Sequence, residues 1–232
     1  MTSSATVNRS NVAALIPSYR EAAHIKEVAE RAKLQLDHVI VIDDGSPDAT
    51  AERAREAGVE VIRHEVNQGK GAAIKTGFRT ILERGFLYGL ILDGDGQHRP
   101  EEIPDFLEAA NRTGAHFLVG NRMSDTRTMP LIRKLTNNFM SWQISLVCGQ
   151  RIPDTQCGFR MIHSQVMPFL FCESNAYEYE TEMLFITARQ GFQIGAVPIS
   201  TVYGSEQSKI HPVRDTIRFF KLMQRYRRPV TG

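Results

Sequence analysis

Short apolar runs alternate with stretches of helical period through the first half of the chain. Residues 12–16, 38–42, 59–63, 86–92 and 115–120 are rich in Val, Ile, Leu and Ala, and each run stops at polar or glycine-bearing positions. That length and bounding predict five buried strands. Between them Ile25, Val28, Ala29 and Ala32 recur at helical spacing, as do Ala72, Ala73, Phe78, Ile81 and Leu82. Asp48 is placed to cap a helix over 50–57 and Gly58 to stop it, and a further helix is expected over 100–111. Strands alternating with helices imply right-handed crossovers, so the expected class is α/β, with a mostly parallel sheet covered by helices on both faces.

After Gly120 the pattern changes. Residues 130–149 predict a helix in which Leu131, Leu135, Phe139, Trp142, Ile144, Leu146 and Val147 mix with Arg133 and Lys134. Burial is the default for such a helix; its composition also suits one lying in the headgroup region of a membrane. A polar loop over 151–160 enters a strand, and Glu178, Glu180 and Glu182 flank the start of a helix running to Gln190. Strands over 192–197 and 199–203 and a basic helix over 212–225 are expected to close the chain.

The chemistry collects at strand ends. The fourth strand runs into Asp93-Gly94-Asp95-Gly96-Gln97-His98, two carboxylates one glycine apart. Both can offer oxygens to one hard divalent cation, Mg²⁺ or Mn²⁺, with Gln97 adding a neutral oxygen and a bound diphosphate completing the shell. Pro17 to Glu21 after the first strand and Asp43 to Ser46 after the second put polar and acidic groups on the same sheet edge. That is where an open α/β sheet keeps its ligand. The glycine fingerprints of a dinucleotide site and of a P-loop are both absent.

At 232 residues and 42% apolar content the chain is long enough for one large domain, and one is expected. A net charge of +2 gives no ground for a nucleic acid partner. Residues 207–232 nevertheless hold seven basic side chains against Asp215 alone, which suits a solvated helix face or anionic headgroups. Cys148, Cys157 and Cys172 lack paired or zinc-binding spacing and read as reduced thiols. With no signal-like start and no run of spanning length, a cytoplasmic, peripheral location is expected.

Taken together, Pro17-Ser18-Tyr19-Arg20-Glu21, Asp43-Asp44-Gly45-Ser46-Pro47-Asp48, Asn67-Gln68-Gly69-Lys70-Gly71 and Asp93 to His98 resemble, in order, the motifs of inverting family 2 glycosyltransferases of the GT-A fold. Among these the chain is most similar to the polyprenyl- and dolichyl-phosphate sugar synthases. The resemblance implies a UDP- or GDP-linked sugar donor, with Pro17, Tyr19, Glu21 and Asp44 around base and ribose, Lys70 and Gly94 in the donor site, and Asp93, Asp95 and Gln97 holding the cation. It implies Arg122 and Arg133 at an acceptor lipid phosphate, and Lys209 near the donor phosphates. On that footing about residues 12–120 form a donor half, 121–220 an acceptor half and 221–232 a basic tail. Residues 154–160 look most like the glucosyl branch, whereas Tyr203 stands where the mannosyl branch has an arginine. A separate membrane-embedded partner is compatible with the missing spans. Two alternatives stay open: a hydroxyl acceptor served by a carboxylate base, with Glu180 the first candidate, and a non-catalytic nucleotide-binding subunit of a membrane complex.

Overall fold

The computed structural model describes residues 6–127, 129–176, 178–200, 219 and 222–226. Lys209, Tyr203, the predicted strand beyond Ser200, most of the predicted basic helix and the tail after it lie outside the described residues. Seven strands form one sheet, β1 (Val12–Ser18), β2 (His38–Asp43), β3 (Glu60–Arg63), β4 (Tyr88–Ile91), β5 (Phe117–Asn121), β6 (Arg160–His163) and β7 (Ile194–Pro198). Their order is β3-β2-β1-β4-β6-β5-β7. β6 alone runs against its neighbours, β4 and β5; every other pairing is parallel. The five expected strands are therefore β1 to β5. β4 is shorter than its apolar run, because the Phe86 and Leu87 amides bond Ile81 and Asn11 carbonyls instead of a strand.

Among the described residues, helices α1 (Ile25–Gln35), α2 (Thr50–Glu56), α3 (Lys70–Arg84), α4 (Ile103–Thr113), α5 (Leu131–Cys148) and α6 (Glu178–Arg189) cover the sheet. α1 packs on α2 and α4, while α3 meets a short 3-10 turn at Met167–Leu170 that in turn meets α6. Every residue of β1 is buried, as a central strand covered on both faces requires. Asp48 accepts from the Thr50 amide at 3.2 Å and its hydroxyl at 2.5 Å, but the N-cap of α2 is Ala49, which makes no side-chain cap bond, so Asp48 stands one residue ahead of the capping position its place in the sequence suggested.

α5 departs from its default. It packs inward through Asn137, Ser141 and Ile144, with Ser141 bonding Thr155 and Ser145 bonding Ile152. Leu131, Ile132, Leu135, Phe139, Trp142 and Leu146 are all exposed, Ile132 at 80%. At 3.6 residues per turn these six fall within one arc of about 100°. The helix thus turns its polar side to the protein and its apolar stripe to the outside.

Several loops depend on glycine. Gly45 has φ +67°, and a Cβ there would lie 2.6 Å from the Val66 carbonyl carbon. Gly45→Ala is expected to destabilise the chain by more than about 1 kcal/mol, measured by chemical denaturation, because the backbone on both sides is fixed.

Candidate active site

The carboxyl ends of β1, β2 and β4 form one edge. Ser18 pairs in register with Asp43, the Asp44 amide donates to the Ser18 carbonyl, and the Leu92 amide donates to the Leu15 carbonyl. Pro17 is buried within β1 opposite Ile42, and Tyr19 stands just beyond the strand with the Arg20 guanidinium 5.3 Å from its ring centre. Arg20 adopts φ +58°, a left-handed conformation that costs a non-glycine residue about 1 kcal/mol. Its amide donates to Ser46 Oγ at 3.0 Å and the Glu21 amide to Thr50 Oγ1 at 2.9 Å, which stitches the β1–α1 loop to the β2–α2 loop.

Asp44 is an anchor for the next loop. Its carboxylate accepts from the amides of Gln68 (2.9 Å) and Gly69 (2.7 Å), and His64 Nδ1 lies 2.7 Å away. His64 Nε2 is 2.9 Å from Thr76 Oγ1, so a chain of bonds runs from β2 through His64 to α3. This holds the 67–70 loop where Lys70 opens α3, a role for His64 and Thr76 that no motif announced.

Lys70 reaches across the edge. Its ammonium lies 2.6 Å from Asp93 Oδ1 and 3.2 Å from Glu180 Oε1, joining α3, the β4 loop and α6. Burial works against both charges, but the pairing prevails: Asp93 is held down to about 2 by Lys70 and by nearby cationic groups, and Lys70 is raised by Asp93 and Glu180. Both are therefore ionised at neutral pH.

The loop carrying Asp93 is firmly placed. Gly94 passes so close to β1 that a Cβ would sit 2.6 Å from Ser18 Oγ. At Gly158 a Cβ would lie 2.5 Å from Asp93 Oδ2, so only glycine leaves that carboxylate its space. The Asp93 amide donates to Nδ1 of buried His98 at 3.2 Å, and burial lowers the pKa of that histidine, favouring the neutral acceptor. Asp95 Oδ1 accepts from the Gln97 amide at 3.0 Å, which folds Gln97 back beside Asp95. Two carboxylates and an amide are a hard, all-oxygen donor set and suit Mg²⁺ or Mn²⁺. Among the described residues no group of three His, Cys, Asp or Glu side chains forms a metal cage, so donor oxygens and water must complete any shell here.

The arginines of the second half are less uniform than the sequence implied. Arg122 is buried, with Nε 2.7 Å and Nη2 2.9 Å from the two oxygens of Asp154, and its amide also donates to Asp154. Arg133 is exposed on the first turn of α5. Arg160 is 1% exposed and donates to the carbonyls of Thr155, Cys157 and Glu180. It is thereby removed from any contact with an acceptor and instead fastens residues 155–157 to the first turn of α6. Lys75, not singled out in the sequence, does similar work beneath the segment before α6. It donates to the carbonyls of Cys172 and Ser174 and to Asn175 Oδ1. Lys75 depends on carbonyls about 100 residues away and Arg160 on one 20 residues away beside two local ones, and no local pattern announces those partners.

A mostly parallel sheet with acidic loops at the ends of β2 and β4 opens a ligand crevice at the carboxyl ends of its strands, as in the GT-A fold. The model of glycosyl transferase family 2 matches residues 13–174, and the chain belongs to this family. It is 31% identical over 212 residues to the UDP-N-acetylglucosamine--dolichyl-phosphate N-acetylglucosaminyltransferase of Methanococcus voltae, covering 82% of this chain and 84% of that protein. It is 32% identical over 204 residues to the undecaprenyl-phosphate mannosyltransferase of Micrococcus luteus, covering 82% and 83%. In fold it is similar to glucosyl-3-phosphoglycerate synthase from Mycobacterium tuberculosis in complex with Mn²⁺ and UDP-glucose. That match has a TM-score of 0.70 at 20% identity, over 97% of this chain and 81% of that one.

Asp154→Ala is expected to lower stability by about 3–5 kcal/mol, because it removes the bidentate carboxylate partner of a buried guanidinium. Asp154→Asn keeps one acceptor and is expected to cost less; urea denaturation of the two variants checks the order.

Proposed function

We propose that the chain moves a hexose, with inversion, from a nucleotide-diphospho-sugar to a polyprenyl-type phosphate. The observation that carries this is the Asp93–Asp95–Gln97 loop held beside Lys70 at the end of β4. Relatives named for dolichyl and undecaprenyl phosphate support the acceptor class. Fold neighbours solved with UDP and either Mn²⁺ or Mg²⁺ support the donor and the ion. Residues 12–120 form the donor half and 121–220 the acceptor half of a single catalytic unit.

Asp93, Asp95 and Gln97 hold the divalent ion, which when bound neutralises charge developing on the diphosphate leaving group. Lys70 lies within reach of the same diphosphate, and the family resemblance assigns Lys209 to the donor phosphates. Pro17, Tyr19, Glu21 and Asp44 shape the nucleoside end of the edge, and Gly94 lets the loop pass close to β1. A phosphomonoester has its second pKa near about 6, so the acceptor oxygen is already ionised at neutral pH. It attacks the anomeric carbon, the bond from that carbon to the donor phosphate oxygen breaks, and the electron pair leaves on the diphosphate. No side chain has to take a proton. Arg133 offers an exposed guanidinium to the acceptor phosphate, and the Arg122–Asp154 pair supports the wall behind it. Glu180 is paired with Lys70 in the donor-free chain.

The acceptor is met at the membrane surface. No helix among the described residues is long and apolar enough to cross a bilayer. α5 carries Arg133 and Lys134, Arg151 follows it, and no acid occurs between Asp125 and Asp154. An apolar stripe flanked only by cations matches an anionic bilayer surface, into whose headgroup region it inserts.

Two measurements test these readings. Calorimetric titration with UDP and with GDP, each with and without Mn²⁺ or Mg²⁺, is expected to show ion-dependent binding of one nucleotide, weakened about 100-fold or more by Asp95→Ala. No binding of either nucleotide under any of these conditions removes the transferase reading. Trp142 is the chain's only tryptophan, so its fluorescence reports the α5 face directly. Phosphatidylglycerol vesicles are expected to shift it to the blue, phosphatidylcholine vesicles much less, and Leu135→Glu to weaken partitioning about tenfold. Concentration-dependent self-association through this face with no vesicle shift rejects the bilayer as its occupant.

A further inference from the structure

The pocket at the end of β4 holds a cation supplied by the chain itself. Lys70 Nζ stands between Asp93 and Glu180 at 2.6 and 3.2 Å, and its side chain is 19% exposed. Oδ1 of Asp93 is the oxygen that Lys70 covers, while Gly158, by lacking a Cβ, leaves space beside Oδ2. The loop cannot simply swing aside, because His98, Ser18 and the Asp95–Gln97 turn fix its backbone.

The backbone of Lys70 is fixed as well. Gly69 has φ +100°, with no room for a Cβ against the Asn175 carbonyl, and the Gly71 amide donates to that same carbonyl at 2.9 Å. Only the side chain is free to move, and it has a second anion, Glu180, to move toward. A divalent ion bound to a carboxylate oxygen sits about 2.0–2.2 Å from it. An ion on Oδ1 would lie only roughly 4 Å from the ammonium that covers the same oxygen, and two cations so close in a partly buried cleft repel.

We propose that Lys70 is a placeholder cation: in the donor-free chain its ammonium occupies the anionic pocket between Asp93 and Glu180, so the divalent ion enters together with the nucleotide diphosphate and not before it. The diphosphate supplies the negative charge to which Lys70 transfers as the ion takes its place on Asp93. The exchange is non-covalent and makes donor and ion bind as a unit, with neither held firmly alone. This rests on the donor reading of the same site.

Mn²⁺ uptake by the free chain, followed by the paramagnetic resonance of the unbound aqua ion, tests the placeholder without nucleotide or turnover. Wild type is expected to bind Mn²⁺ alone weakly, and Lys70→Met to bind it at least about tenfold more tightly. Lys70→Arg, which keeps the charge, is expected to stay with wild type. So is Arg99→Met, which removes an exposed cation two residues from Gln97 and controls for net charge. If Lys70→Met fails to fold, Glu180→Gln replaces it: leaving the ammonium to Asp93 alone is expected to weaken Mn²⁺ uptake about fivefold.

Equal Mn²⁺ affinity in wild type and Lys70→Met overturns the inference, and so does an equal gain in Arg99→Met; both leave the donor reading intact when UDP or GDP still binds with Mn²⁺. A wild-type chain that binds neither nucleotide with Mn²⁺ fails differently. That result removes the donor reading, and the coupled entry of ion and diphosphate with it.

Discussion

A guanidinium with almost no exposure fastens the loop before β6 to the first turn of α6. Arg160 opens β6, where it pairs with Ile91 of β4 on one side and Val119 of β5 on the other. All of its donors go to backbone carbonyls, from Thr155, Cys157 and Glu180. A buried charge satisfied by peptide dipoles is costly to disturb, because any shift of those carbonyls leaves it unsolvated. Three separate stretches, the 155–157 loop, the reversed strand and the start of α6, are thereby made to meet at one place. Gly158 is pressed on Asp93 and Glu180 is delivered to Lys70 as a consequence.

The cleft that results is built from paired charges. Lys70, Asp93 and Glu180 share one contact, Arg122 and Asp154 another, and Asp44 accepts from two amides and bonds His64. Such pairs add little net stability when their desolvation is counted, but each is expensive to break one partner at a time. They keep the edge rigid, while the few side chains with a second partner, Lys70 first among them, retain a place to go when a diphosphate arrives.

α5 shows how a helix can be legible in period and illegible in orientation. Its apolar stripe is plain in the sequence, and burial is the usual fate of such a stripe. Here the small polar residues Ser141 and Ser145 make the contacts to the 152–155 loop, so the helix seats itself by hydrogen bonds and presents Leu135 and Trp142 outward. Hydrophobic period says that a face must be covered; it does not say whether protein or lipid covers it.

Much was determined by the sequence alone. The five leading strands, the helices between them and the gathering of Ser18, Asp44 and Asp93 on one edge follow from local period and from the handedness of crossovers, both short-range properties. The family follows from four ordered motifs, each confined to a few consecutive residues. Tertiary structure decided the rest. That β6 reverses between β4 and β5, that Arg160 is buried while Arg133 is exposed, that Arg122 faces Asp154, and that Lys70 bridges Asp93 and Glu180 are all pairings across long separations in the chain. Charged side chains of one type look alike in sequence. Which of them faces a substrate and which an internal carbonyl depends on the partners folding brings within 3 Å, and those partners carry no local signal.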